Sequence, residues 1–259
     1  MNKACVYIVG AGPGDPELLT LKAAACLKEA DVVVYDRLVS DEILDMVPEG
    51  VEKVFAGKAA RDHHMVQDDI NQTLVDLAHQ GKAVVRLKGG DPFIFGRGSE
   101  EAVALAEQGI KFEIVPGITA SAGCGAYAGI PLTHRGLATS VRFVTGHCRD
   151  GQHLDLNWQS LADPDTTLVI YMGLINIEKI TAELIKAGLS EDTPAAGVER
   201  GTTQEQRTII TTLKDLATTI KDAHLSAPSL LIIGKVVELS KVIDWYTPPK
   251  DKLILPHDL

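Results

Sequence analysis

Arg86-Leu-Lys-Gly-Gly-Asp-Pro-Phe-Ile-Phe-Gly-Arg-Gly-Ser-Glu-Glu101 reads as a strand end, a tight turn, an apolar patch and the start of a helix. The strand is expected over 83–87, the turn at Gly89-Gly90-Asp91-Pro92, and the helix from its N-cap Ser99. Two adjacent glycines at the carboxyl end of a strand let a ligand approach the backbone closely. Asp91 adds an acceptor for a hydroxyl or a positive centre. In open α/β sheets, ligands bind outside the carboxyl ends of the strands, so a pocket is expected here.

Outward from this stretch, short apolar runs alternate with helical ones. Strands are expected at 4–9, 32–35, 51–55 and 112–115. Helices are expected at 16–30 (apolar at Leu18, Leu19, Leu21, Ala25 and Cys26), 67–79 and 99–108. Such alternation implies a mostly parallel sheet. The second half differs. Strands are expected at 141–145, 167–171, 194–198, 206–211 and 229–233, with helices at 175–187 and 213–223. The runs at 194–198 and 206–211, with Gly201 between them, are close enough for an antiparallel pair. The expected fold class is α/β with two lobes: 1–117 with a mostly parallel sheet, and 118–246 with a mixed one. A tail, 247–259, carries Pro248-Pro249 and is expected to be weakly ordered.

With 259 residues the chain can bury a substantial core. Its net charge of −10 argues against broad phosphate neutralisation, and so against a nucleic-acid partner. A local group of arginines can still hold an anionic small molecule. The four cysteines, Cys5, Cys26, Cys124 and Cys148, form no Cys-x-x-Cys pair, so reduced thiols are expected rather than disulfides or zinc. His63, His64, His134, His147 and His153 lack metal-ligand spacing, and no metal is expected. No signal peptide or membrane-length apolar run is seen, so the expectation is a soluble, cytoplasmic protein without a membrane partner.

Val9-Gly-Ala-Gly-Pro-Gly-Asp-Pro16 invites a dinucleotide reading, but Asp15 stands where a small residue is needed. Asp15 instead suits an N-cap, with Pro16 at the first helical position. Asp15 and Glu17 would repel a phosphate there. Gly12 and Pro13 are then candidates for the wall of a pocket whose ligand carries no phosphate. Asp36 ends the strand at 32–35, where a helix cap and a site residue are equally good readings. Lys58 follows the strand at 51–55 and could be its proton-transfer partner. The small-residue segment 115–135 suggests close packing, or a ligand facing Thr119 and Ala120 at a helix N-terminus.

Gly-Ala-Gly-Pro-Gly-Asp-Pro-Glu-Leu-Leu-Thr (10–20), Val-Tyr-Asp-Arg-Leu-Val-Ser (34–40), the 86–101 stretch and 115–135, in that order, resemble the tetrapyrrole methylase family from about 6 to 237. The resemblance implies a homodimeric, two-lobed enzyme that holds S-adenosylmethionine between its lobes. It also implies two successive C-methylations of uroporphyrinogen III to precorrin-2. By residue-for-residue match, the cofactor contacts fall on Pro13, Gly89, Gly90, Asp91, Ile94, Thr119, Ala120, Met172 and Gly201, with Ser229 as one more. The acid and lysine assigned to proton transfer fall on Asp36 and Lys58. A tetrapyrrole rich in carboxylates needs cations, for which Arg135 is the favoured candidate, ahead of Arg37 and Arg149. Ala59 and Val66 depart from the family pattern after Lys58 and put the geometry of that loop in question. No dehydrogenase–chelatase segment precedes the match, so a stand-alone methyltransferase is expected. The alternatives are a relative acting on another substrate (a later corrin ring, diphthamide, or a ribosomal-RNA ribose) and a silent binding protein.

Overall fold

Valine-rich runs flanked by helical segments build the first unit, Met1–Ala120, and a second unit, Ser121–Leu259, follows it. A computed structural model describes residues 6–56, 67–147 and 154–247. The tail expected at 247–259 lies, beyond its first residue, outside the described residues.

The first unit holds strands β1 (Val6–Gly10), β2 (Val32–Tyr35), β3 (Glu52–Phe55), β4 (Val84–Lys88) and β5 (Phe112–Val115). All pair in parallel, in the order β3-β2-β4-β1-β5. Helices α1 (Leu21–Lys28), α2 (Asp41–Leu44), α3 (Gln67–His79) and α4 (Gly98–Glu107) connect them. Its inner strands β1, β2 and β4 are buried on both faces, which is why β1 and β2 read as apolar runs, while the edge strand β3 (Glu52-Lys53-Val54-Phe55) is largely exposed. Val6, Ile8, Val34 and Val84 pack with Leu74 of α3 and Leu105 of α4. Val9, Val33, Val85 and Leu87 pack with Leu27 of α1 and Ile43 of α2. Side chains alternate along a strand, so Arg86 and Lys88 share the face of Val84, toward α3 and α4.

In the second unit α5 (Ala120–Tyr127, its first residue belonging to the first unit) leads into β6 (Ser140–Thr145), α6 (Trp158–Leu161), β7 (Thr166–Tyr171) and α7 (Ile177–Lys186). β8 (Pro194–Glu199), β9 (Arg207–Thr212), α8 (Leu216–Asp222) and β10 (Ser229–Ile233) complete it. The sheet order is β6-β7-β10-β8-β9. β6 and β7 are parallel, while β10 runs antiparallel to both β7 and β8, and β9 antiparallel to β8. Ile170, Ile180, Leu184, Leu216 and Leu231 lie in its core. The α/β class, with one parallel and one mixed sheet, agrees with the sequence expectation.

Three local expectations are corrected. The helix at 16–30 is two helices, a 3₁₀ turn over Pro16–Leu18 and then α1. Two caps compete within six residues: the Asp15 carboxylate accepts from the Glu17 N–H at 2.9 Å, and the Thr20 hydroxyl from the Ala23 N–H at 3.1 Å. The break rotates the apolar face, so Leu21 is 92 % exposed while Ala23 and Leu27 are buried. Ser99 is not a cap, because α4 begins one residue earlier and its cap position is Arg97, left-handed at φ 57°. There the Gly98 N–H donates to the Pro92 carbonyl at 2.9 Å, which pulls the helix entry onto the turn. The helix expected at 175–187 starts as a 3₁₀ turn, Leu174–Asn176, before α7.

Candidate active site

The carboxyl ends of β1, β4 and β5 meet through glycine backbone. A Cβ on Gly10 would stand 2.6 Å from both the Gly117 nitrogen and the Gly90 carbonyl oxygen, so only glycine fits there. Gly12 and Gly90 exchange two backbone hydrogen bonds, at 3.1 and 2.6 Å, which lash the first glycine loop to the turn after β4. Gly90 has φ 68°, and the one atom near its absent Cβ is the Ala120 nitrogen at 3.7 Å. Among the described residues the Gly90 backbone is therefore crowded by little, with the first amide of α5 in ordinary van der Waals range, at a helix end where N–H groups lack internal partners. Such a surface takes a ligand against the backbone.

Asp91 has a role the sequence did not show. Its Oδ1 accepts from the Phe93 N–H at 2.9 Å and its Oδ2 from the Gly117 N–H at 3.1 Å. The carboxylate thus clamps the turn after β4 to the one after β5. Ile94 is half-buried in the same turn, and Phe93 and Phe95 are exposed beside it. Pro13, Gly89, Gly90, Asp91, Ile94, Thr119 and Ala120 all lie in the loops at this end of the sheet, so the first unit gathers seven of the expected contacts. Asp15 caps its own 3₁₀ turn, which leaves no helix N-terminus for a phosphate at that loop.

Asp36 follows β2 at the same end. It caps no helix, since α2 has Ser40 at that position. Its Oδ1 accepts from the Leu38 N–H at 3.0 Å, and its Oδ2 lies 3.6 Å from Nη2 of Arg86. Its side chain is 26 % exposed. Its expected partner Lys58 lies outside the described residues, as do Ala59, Val66 and Arg149.

Behind Asp36 is a buried ionic cluster. Glu101 of α4 has no exposed surface; its Oε1 accepts from Arg86 Nε at 3.0 Å and from Lys88 Nζ at 2.8 Å. Its Oε2 has no partner among the described residues. Burial, and then the neighbouring Arg86 charge, push the Lys88 ammonium below the usual lysine range, opposed by Glu101. Arg86, Lys88 and Glu101 were not singled out from the sequence as site residues. The signal was there, as two cations inside an otherwise apolar strand.

In the second unit, Met172 follows β7, Gly201 follows β8, and Ser229 begins the antiparallel β10, paired with Glu199. These three share one end of the second sheet. Met172 is left-handed at φ 55° and 49 % exposed, an apolar side chain held out of the core. Gly201 is buried, and a Cβ there would run into the Cys124 sulfur of α5. Burial pushes the Cys124 thiol up to about 12, which keeps it a neutral packing group. Arg135 is not gathered with the three. It sits in the turn bridged by His134 and Ala138, before the amino end of β6, hence at the opposite end of that sheet. It is exposed and makes no ion pair among the described residues. Among those residues no group of three or more His, Cys, Asp and Glu is placed to hold a metal ion, and no helix is long and apolar enough to cross a membrane.

Residues 5–217 match the family model of the Tetrapyrrole (Corrin/Porphyrin) Methylases. The siroheme synthase of Pseudomonas fluorescens (strain SBW25) is 55 % identical over 241 residues, which are 93 % of this chain and 52 % of that relative. The chain thus spans about half the length of the curated relatives it matches. The crystal structure of uroporphyrin-III C-methyl transferase from Thermus thermophilus complexed with S-adenyl homocysteine is 41 % identical, with a TM-score of 0.78, over 90 % of this chain and 93 % of that one. A cobalt precorrin-4 methyltransferase of cobalamin biosynthesis is 32 % identical with a TM-score of 0.80, over 90 % of this chain and 95 % of that one. The chain belongs to the tetrapyrrole (corrin/porphyrin) methylases.

Proposed function

We propose that this chain is an S-adenosylmethionine-dependent C-methyltransferase that converts uroporphyrinogen III to precorrin-2 by two successive methylations. The observation that carries the reading is the glycine-backbone cradle at Gly90, with the partly exposed carboxylate of Asp36 at the same end of the same sheet. Asp15 and Glu17 occupy the helix start at the first glycine loop, which supports a ligand without phosphate on that side of the cradle. Identity to siroheme synthases and to a uroporphyrin-III C-methyl transferase supports the substrate.

S-adenosylmethionine, when bound, supplies an electrophilic methyl group. Pro13, Gly89, Gly90, Ile94, Thr119 and Ala120 would hold it against the backbone, and Asp91 fixes the shape of that surface through its two backbone hydrogen bonds. Met172, Gly201 and Ser229 are the contacts proposed from the second unit. The work of these residues is alignment and exclusion of water, which can supply several kcal/mol of a displacement barrier. Asp36, with Lys58, takes the proton that the methylated macrocycle must lose to restore conjugation. Arg135, exposed and without an ion pair among the described residues, is the proposed partner of a substrate carboxylate. The reading includes a homodimer in the cytoplasm. It includes no metal, since methyl transfer from a sulfonium needs none, and no nucleic-acid or membrane partner.

The test is anaerobic incubation with uroporphyrinogen III and labelled S-adenosylmethionine, following label transfer and the absorption spectrum. Two methyl groups per macrocycle are expected, and Asp36→Asn should lower kcat by about 10²–10⁴-fold without loss of fold. No transfer to this macrocycle overturns the proposal.

A further inference from the structure

We propose that Glu101, which touches no ligand surface, is a positioning residue that holds Asp36 through Arg86. The inference rests on the proposed function, because it concerns the proton step assigned to Asp36.

The guanidinium of Arg86 is fixed on three sides. Its Nε donates to Glu101 Oε1 at 3.0 Å, and its Nη1 to the carbonyls of Leu87 at 3.1 Å and Val34 at 3.4 Å. A guanidinium is planar and rigid, so fixing Nε and Nη1 fixes where Nη2 points. Nη2 lies 3.6 Å from Asp36 Oδ2, an ion-pair contact longer than a hydrogen bond. The other oxygen of Asp36 is held by the Leu38 N–H, so both oxygens have assigned places. Oδ2 is the oxygen that faces the buried cation, and its position follows from that of Arg86.

Glu101 anchors this line. It is fully buried on α4 and draws Arg86 and Lys88 to a single oxygen, with Gln67 Nε2 at 3.5 Å on the same atom. One negative charge thus balances two positive ones, and the second negative charge of the cluster is Asp36 itself. Stability does not account for the arrangement, since buried ion clusters replaced by apolar side chains of similar volume are often no less stable. Every other side chain of β4 is apolar: Val84, Val85 and Leu87. The cluster has one partly exposed member, Asp36, at the carboxyl end of the sheet where the cradle lies.

The experiment is a double-mutant cycle on the full chain. Glu101→Gln keeps the volume and removes the charge. It is expected to lower kcat by about tenfold, part of what a positioned acid–base group contributes. KM for both substrates and the affinity for S-adenosylhomocysteine should be unchanged. In the Asp36→Asn background the same substitution should have no further effect on kcat, because contacting residues that act as a unit are non-additive. Glu101→Asp, which keeps the charge, should recover part of kcat. If Glu101→Gln does not fold, Arg86→Lys takes its place: it leaves a buried cation for Glu101, withdraws Nη2, and should give the same pattern. A loss of kcat of equal size in the presence and absence of Asp36 overturns the relay, as does a KM effect alone. A wild-type chain that transfers no methyl group overturns the proposed function instead, and the relay with it.

Discussion

β4 and β10 hold the same place, third of five strands, and both are buried along almost their whole length. β10 fills that place as physics alone would choose, with Leu230, Leu231, Ile232 and Ile233 interdigitating on two faces. β4 carries Arg86 and Lys88 in equivalent surroundings, and α4 supplies a buried glutamate to meet them. The difference shows what a charge in a central strand is for. The middle of a sheet is built most simply from hydrocarbon, so ions found there are explained by what they reach. Of the two on β4, Arg86 lies 3.6 Å from Asp36.

Removing the ions outright breaks the comparison if it is wrong, and the expected effect is the largest. Arg86→Met, Lys88→Met and Glu101→Leu together should turn β4 into a strand like β10. Thermal stability should be unchanged or raised, by up to about 4 kcal/mol. Methyl transfer should fall about 100-fold, no further than in Asp36→Asn, because the loss runs through that carboxylate. Calorimetry and initial rates read the two halves separately. A collapsed fold would show that the ions hold the sheet together, and undiminished turnover that they serve nothing.

The reciprocal change sharpens it. Leu231 is 1 % exposed and packs in the core of the second sheet. Leu231→Ala should cost about 2–5 kcal/mol, from lost burial and the cavity left behind. Turnover well below the melting temperature should be unchanged. The denaturation midpoint and kcat at low temperature are the measurements. A fall in kcat with the fold intact would show that β10 has a part in the chemistry that its composition does not announce.

The same contrast explains what could be read in the sequence. Strands β2 and β10 stand where their apolar runs stand, because burial of a whole strand is written in consecutive residues. The antiparallel pair β8 and β9 was legible from its spacing around Gly201. Local competition was harder. Asp15 and Thr20 are both good caps, and which one opens the longer helix depends on how Leu19 sits, extended at φ −68° and ψ 135°. Ser99 lost its expected role to Arg97, whose left-handed backbone follows from the Pro92–Gly98 hydrogen bond and not from its own residue type. Asp36 and the glycines of the cradle were found because strand ends and glycine pairs are local features. The ties of Asp91 to Gly117 and of Glu101 to Arg86 span 26 and 15 residues, and no short pattern announces them. Arg135 matched by position, yet the register of β6 and β7 sets it at the end of the sheet away from Met172.

The smallest effect expected concerns the one buried acid of the second sheet that does resemble Glu101. Glu199 ends β8 with its side chain almost fully buried, accepting from the Ser226 N–H at 3.0 Å, from the Ser226 hydroxyl and from Arg207 Nη1 at 3.0 Å. Burial pushes its carboxyl up, but the Ser226 hydrogen bonds and the Arg207 charge outweigh that and hold it below the usual glutamate range. Unlike Glu101, both of its oxygens are used and its cation is half-exposed at the surface, so its role is to pin the chain where β8, β9 and β10 meet. A group with a depressed folded value contributes its stability in full above the unfolded value and loses it as pH falls through the folded one. Glu199→Gln should therefore cost on the order of 1 kcal/mol at neutral pH. The difference from wild type should shrink as the solution is acidified below the ordinary glutamate range. Melting temperatures of both proteins across that range decide it. A difference independent of pH would mean that the side chain acts through its shape alone, while a change in kcat at neutral pH would place Glu199 with Glu101, and the line drawn between the two sheets would have to move.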